Sequence, residues 1–82
     1  MEAPNSIPLS DLKPGESGVV QDFKTRGPLT GRLREMGLIR GTKILVKRYA
    51  PFGDPMELVL RGYNLSLRKI DAAEILVIKE TL

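Results

Sequence analysis

The sequence lacks cysteine, histidine and tryptophan altogether. Without cysteine, no disulfide can support the fold, and no thiolate can bind a metal or attack a substrate. Without histidine, the chain has neither the commonest general base nor the commonest transition-metal ligand. Oxygen ligands alone select transition metals poorly, and no paired-carboxylate motif is present. The sequence therefore predicts that the protein is not an enzyme, and it predicts no catalytic residue, no metal site and no cofactor.

Long apolar runs are absent too. The longest is Ile75 to Ile78, whereas a helix needs about 20 apolar residues to span a bilayer. The first residues show neither the basic segment nor the apolar segment of a signal peptide. We therefore expect a cytoplasmic protein.

Charge of both signs is spread along the chain, which has 13 basic and 10 acidic residues and a formal net charge of +3. The nearest approach to a basic cluster is Arg61, Arg68 and Lys69, with Lys47 and Arg48 as a second pair. Nucleic-acid binders usually concentrate such charge on one face, whereas mixed charge is typical of a solvated surface. A nucleic-acid-binding barrel stays as an alternative function, and it would show steeply salt-dependent binding.

One segment, Leu29 to Thr42, predicts a short helix with its own stop signal. Leu29, Leu33 and Met36 recur at i, i+4 and i+7, so they share one helical face. Gly37 follows where a helix commonly ends, because glycine adopts a positive φ without a Cβ penalty. We expect Leu33 and Met36 to pack against apolar residues of the neighbouring strands, namely Ile44, Val46, Leu58 and Leu67.

The remainder of the chain is typical of short strands. Alternating apolar residues and turn signals predict five strands, near residues 17–23, 42–49, 56–61, 63–68 and 75–79. Gly62-Tyr63 suits the two-residue connection of a type II′ hairpin, and Asp54 in the turn Gly53-Asp54-Pro55 suits bonding to turn amides better than binding a metal. The predicted fold is mainly β: a small five-stranded barrel with one short helix between the first two long strands. We expect one domain over residues 7–82, after a loose lead-in at residues 1–6.

Taken in order, several motifs resemble the FeoA family, the small cytosolic proteins of bacterial ferrous iron transport. The resemblance covers about Ile7 to Val77. The motifs are LSDLKPGE from Leu9, RLREMGL from Arg32, Gly41-Thr42, Ala50-Pro51 with Gly53-Asp54-Pro55, and RGYNLSLR from Arg61 followed by Ala73 and Ile75. The resemblance implies an SH3-like barrel.

The resemblance also implies a function, that of an accessory protein. Such a protein would bind and modulate the ferrous iron membrane transporter and its cytoplasmic G-protein domain, and it would meet the membrane only through that transporter. The family has no established catalytic residue to carry over. Arg32, Arg34 or Arg40 could reach a transferring phosphoryl group as an arginine finger, although the same arginines would also stabilise the helix C-terminus.

The last strand offers a candidate partner surface, because Ile75 to Ile78 is apolar on both faces. Ile75 and Val77 are assigned to the core by the family pattern, which leaves Leu76 and Ile78 facing outward. Leu38 and Ile39 form a second candidate patch. Two alternatives remain open: the lead-in could cover Leu76 through Ile7 or Leu9, or a free edge of the last strand could form a homo-oligomer.

Overall fold

The computed structural model describes residues 5–80. Six strands in this range form one antiparallel sheet in the order β1-β6-β2-β3-β4-β5. The elements in chain order are β1 (Ser6–Pro8), a 3-10 helix (Leu9–Asp11), β2 (Ser17–Phe23), α1 (Pro28–Glu35), β3 (Lys43–Tyr49), β4 (Met56–Leu60), β5 (Tyr63–Leu67), α2 (Lys69–Ala72) and β6 (Ile75–Glu80). The predicted fold class is confirmed, with α1 between β2 and β3, the first two long strands.

The extra strand, β1, spans the predicted domain start, with Ser6 from the predicted lead-in and Ile7 and Pro8 from the predicted domain. Ser6 pairs with Ile78, and Ile7 pairs with Val77. The expected domain start after residue 6 therefore falls inside a strand. Residues 1–4 of the predicted lead-in lie outside the described residues.

One apolar core lies inside the curved sheet. The apolar residues of the predicted strand alternation form part of this core: Ile44 and Val46 of β3 and Leu58 of β4 are fully buried. Leu33 of α1 is buried in the same cluster, and Met36 packs against it while half-buried. Further buried members come from the other elements: Leu9, Leu12, Val20, Leu38, Met56, Leu60, Leu67, Ala72, Ile75 and Val77.

The end of α1 is closed by a Schellman motif. The Leu38 N–H donates to the Leu33 carbonyl at 3.0 Å, and the Gly37 N–H donates to the Arg34 carbonyl at 3.0 Å. Gly37 has a φ of +98°, the conformation that this motif requires. The reversal places Leu38 back on Leu33 in the core, so the helix end and the core packing reinforce each other.

The β4–β5 hairpin turns one residue earlier than predicted. Leu60 pairs with Tyr63, so the connecting residues are Arg61 and Gly62. Both have positive φ, +50° and +81°, which corresponds to a type I′ turn and corrects the expected type II′ turn over Gly62-Tyr63. Tyr63 is thus the first residue of β5, and its hydroxyl donates to the Met36 carbonyl at the end of α1.

Candidate interaction surface

The predicted partner surface on the last strand is wrong at Leu76, which is only 3% exposed. β6 is an interior strand, flanked by β1 and β2, and the 3-10 helix that continues β1 also packs against it. Leu76 pairs with Pro8 of β1 and with Asp22 of β2, so the N-terminal segment runs beside it; that Ile7 or Leu9 covers its side chain stays a prediction. Ile78 is half-buried and pairs with both Ser6 and Val19, so β6 has no free edge there for a homo-oligomer.

The second predicted patch is split by the helix cap. Leu38 is fully buried, because the Schellman motif turns its side chain inward. Ile39 remains at the surface and is 39% exposed. It is the most exposed of the four predicted partner residues.

Sequence reasoning missed the two most exposed apolar side chains. Phe52, in the β3–β4 loop, is 99% exposed, and Ile70, in α2, is 71% exposed. We define these two residues as the apolar tip. The composition of residues 50–55 predicts a turn, and because loops run over the protein surface, that prediction already contained a signal that Phe52 is exposed.

The β3–β4 loop is held in place by a set of hydrogen bonds. The Ala50 N–H donates to the Pro55 carbonyl at 2.9 Å, and the Gly53 N–H donates to the Ala50 carbonyl at 2.7 Å. Asp54 Oδ1 accepts the Lys69 backbone N–H at 2.9 Å, so this carboxylate bonds a backbone amide of α2. The loop is thereby tied directly to α2, which carries Ile70.

Tyr49 anchors the same end of the molecule. Its hydroxyl donates to the Leu12 carbonyl at 2.5 Å, and the Lys69 Nζ lies 4.0 Å from its ring centroid. Burial raises the pKa of Tyr49, and the negative charges of Glu16 and Asp11 raise it further. The phenol is therefore kept in the protonated form that makes this hydrogen bond.

Two of the three arginines considered as phosphoryl-stabilising groups, Arg34 and Arg40, contact neighbouring parts of the fold. Arg34 lies over the Phe23 ring at 5.4 Å. Arg40 donates from Nε to the Gln21 carbonyl at 3.0 Å and lies 3.9 Å from Asp22. The Phe23 backbone N–H, and after it the arginine charges, lower the pKa of Asp22. These groups line a shallow open recess between β2 and the end of α1.

Five of the thirteen basic side chains are paired with carboxylates, and these five are spread over the chain. Five ion pairs lie within the described part of the chain: Arg40–Asp22, Lys43–Glu80, Arg48–Glu57, Arg68–Asp71 and Lys79–Glu16. This dispersal weighs against the nucleic-acid alternative, which needs positive charge gathered on one face.

Residues 5–80 contain no cluster of three or more acidic side chains that could together hold a metal ion. None of their helices has the length and apolar character needed to cross a membrane.

The architecture is that of a small SH3-like β domain with exposed apolar groups on one loop and one helical turn. Comparison with known proteins identifies it further: a model of the FeoA domain matches residues 7–79. The chain belongs to the FeoA family, which is associated with ferrous iron transport.

Individual relatives agree with this assignment. A fusion of Fe(2+) transport protein A with the Fe(2+) transporter FeoB from Porphyromonas gingivalis is 41% identical over 67 residues, which are 82% of this chain and 8% of that protein. A FeoA-like protein from Clostridium acetobutylicum is 37% identical, with a TM-score of 0.84 over 92% of this chain and 87% of the other. The FeoA of Stenotrophomonas maltophilia, described as a prokaryotic SH3-domain protein complexed with zinc, is 25% identical, with a TM-score of 0.75 over 88% and 93% of the two chains.

Proposed function

We propose that this protein is a cytoplasmic accessory factor that binds the ferrous iron transporter and modulates ferrous iron uptake. The observation that supports the proposal most is the Porphyromonas gingivalis fusion, in which a segment 41% identical to this chain is joined to FeoB. This chain spans only 8% of that protein, so the transporter's own activity is not assigned to it. A covalent fusion keeps two domains at high effective concentration, which favours a contact between them.

The proposed contact is with the cytoplasmic part of the transporter, including its G-protein domain. A domain of this size offers the transporter a limited surface, and much of its apolar content is buried in the core. The groups available to a partner are those that stay exposed, above all the apolar tip of Phe52 and Ile70. Exposed apolar groups of this kind are typical of protein contacts.

The test is a binding experiment with the detergent-solubilised full transporter and, separately, with its soluble G-protein domain. Purified protein is immobilised, and each target is measured in the apo, GDP-bound and GTP-analogue-bound states. We expect the full transporter to bind; binding of the isolated G-protein domain would locate the contact on it. A folded protein that captures neither target, and whose deletion leaves ferrous iron uptake unchanged, would refute the proposal.

A further inference from the structure

The outer edge of β5 has unpaired backbone groups. Among residues 5–80, β5 pairs with β4 alone. The two-residue turn makes Leu60 and Tyr63 a hydrogen-bonded pair, so Tyr63, Leu65 and Leu67 direct their N–H and C=O groups toward β4. Asn64 and Ser66 consequently direct theirs away from the sheet, and both residues are exposed. This edge can pair with a further strand.

The charge around this edge is positive. Arg61 lies at one end of β5, and Arg68 and Lys69 follow the other end. Of the nearby carboxylates, Glu57 and Asp71 are paired with Arg48 and Arg68, and Asp54 accepts the Lys69 backbone N–H. The basic side chains outside these ion pairs are Arg61 at one end and Lys69 at the other. A strand laid along this edge would therefore be favoured by acidic residues near its ends.

The same charges disfavour a second copy of this chain as the added strand. In the antiparallel register that pairs Asn64 with Ser66 of a second copy, Arg61 faces Lys69 of that copy, and symmetry repeats the contact. In a parallel in-register pair, Arg61 faces Arg61 and Arg68 faces Arg68. Like charges directly opposite each other destabilise a strand pair. Pairing of two copies of this chain through their β5 edges is therefore disfavoured.

The apolar tip lies at the Leu67 end of the edge. Ile70 follows β5 after two residues, and Phe52 belongs to the loop that Asp54 ties to the Lys69 amide. Met56, the residue after that loop, pairs with Leu67. A strand added to β5 would therefore end beside two exposed apolar side chains.

We propose that the outer edge of β5 binds an extended, acidic segment of the partner as an added strand, with an apolar residue of that segment against Phe52 and Ile70. Main-chain hydrogen bonds to Asn64 and Ser66 give the affinity, and the charges and the apolar tip select the segment. This inference rests on the proposed function, since it takes the transporter as the partner.

The first measurement is amide hydrogen exchange of the free protein and of its complex with the detergent-solubilised transporter. In the free protein, the Asn64 and Ser66 amides exchange fast, while the Leu65 amide is protected by β4. In the complex, we expect exchange at Asn64 and Ser66 to slow by about tenfold or more. Unchanged exchange at both amides in a saturated complex would overturn the inference.

The second measurement compares two substitutions at one position. Ser66→Pro removes the outward N–H and leaves the ladder to β4 intact, because proline is tolerated at the open side of an edge strand. Ser66→Ala removes the hydroxyl and keeps the N–H. We expect Ser66→Pro to weaken transporter binding about tenfold or more, equivalent to about 1.4 kcal/mol, and Ser66→Ala to bind like the parent.

The outcomes separate the two proposals. If the parent protein does not bind the transporter, the proposed function has failed, and this inference falls with it. If the parent binds and a folded Ser66→Pro variant binds equally well, the inference alone is wrong. Concentration-dependent dimerisation that protects Asn64 and Ser66 without the transporter would also overturn it. If Ser66→Pro does not fold, the exchange measurement on the parent decides.

Discussion

At the scale of single residues, Gly37 carries the clearest backbone requirement. Gly37→Ala should destabilise the protein by about 1 kcal/mol or more, because alanine is strained at positive φ. The added Cβ would also lie 3.2 Å from the Tyr63 hydroxyl oxygen, which is tighter than an ordinary contact. Urea denaturation of parent and variant measures the loss.

The matched control is Gly31→Ala, in the middle of α1. A Cβ at Gly31 meets nothing within 4 Å, and alanine is a better helix former by about 0.5–1 kcal/mol. This variant should therefore be more stable than the parent. Equal effects at the two glycines would contradict the role assigned to Gly37.

Leu33 tests the core beneath the helix. Leu33→Ala should cost about 2–5 kcal/mol, since it leaves a cavity where the helix meets the sheet. Leu45→Ala is the control, because Leu45 is 39% exposed on the outer side of β3 and should cost clearly less than Leu33→Ala. A Leu33→Ala variant with an unchanged urea midpoint would show that this site is not core.

We expect the Glu16 carboxylate to stabilise the folded protein to an extent that depends on pH. Its carboxylate accepts hydrogen bonds from Lys79 Nζ at 2.7 Å and from the Lys13 backbone N–H at 2.8 Å. These contacts, Lys79 first, lower the pKa of Glu16 below its ordinary value of 4.5. A lowered pKa favours the folded state above pH 4.5, and the benefit is lost as the pH falls through the folded-state pKa.

The corresponding variant is Glu16→Gln. Its melting temperature should lie below that of the parent at pH 7, and the two should converge as the pH falls well below 4.5. High salt at pH 7 should also reduce the difference. A gap that persists undiminished in acid would mean that the carboxylate charge is not the cause.

At the scale of elements, local patterns predicted the strands well but not their partners. The alternation in residues 43–49 and 56–60 identified β3 and β4, and the spacing of Leu29, Leu33 and Met36 identified α1. The pairing of Ser6 with Ile78 joins residues far apart in sequence, and a three-residue strand has too little alternation to predict it. The apolar run in β6 consequently suggested an exposed face, although Ile75, Leu76 and Val77 are all buried.

Leu76→Asp tests the interior position of β6. The substitution buries a carboxylate with no partner, so we expect a loss of more than about 3 kcal/mol, or failure to fold. Phe52→Asp is the control, since an exposed loop residue should change stability by about 0.5 kcal/mol or less. A folded Leu76→Asp protein with the parent's melting temperature would contradict the burial of β6.

At the scale of the whole molecule, stability and partner binding should depend on different residues. The double variant Phe52→Ser, Ile70→Ser should keep the parent's melting temperature and weaken transporter binding about tenfold or more, as expected for exposed apolar anchors. Titration of the immobilised variant with the solubilised transporter measures the loss of affinity. Ile39→Ser is the comparison, because this residue lies outside the apolar tip. If the double variant binds the transporter as well as the parent does, the apolar tip is not part of the contact. Ile39 and the hairpin turn would then be the next candidates.

The pairing of β1 with β6 has a further consequence. Ser6 and Ile78 lie opposite each other in the ladder, with Cα atoms about 5 Å apart. The two ends of the described chain are thus neighbours in the sheet. A domain with adjacent ends can be joined to other segments at either end, or inserted within a longer polypeptide, with little strain. The same closeness permits circular permutation: a short linker between residues 80 and 5, with new termini opened between Phe52 and Gly53, should give a protein with the same sheet.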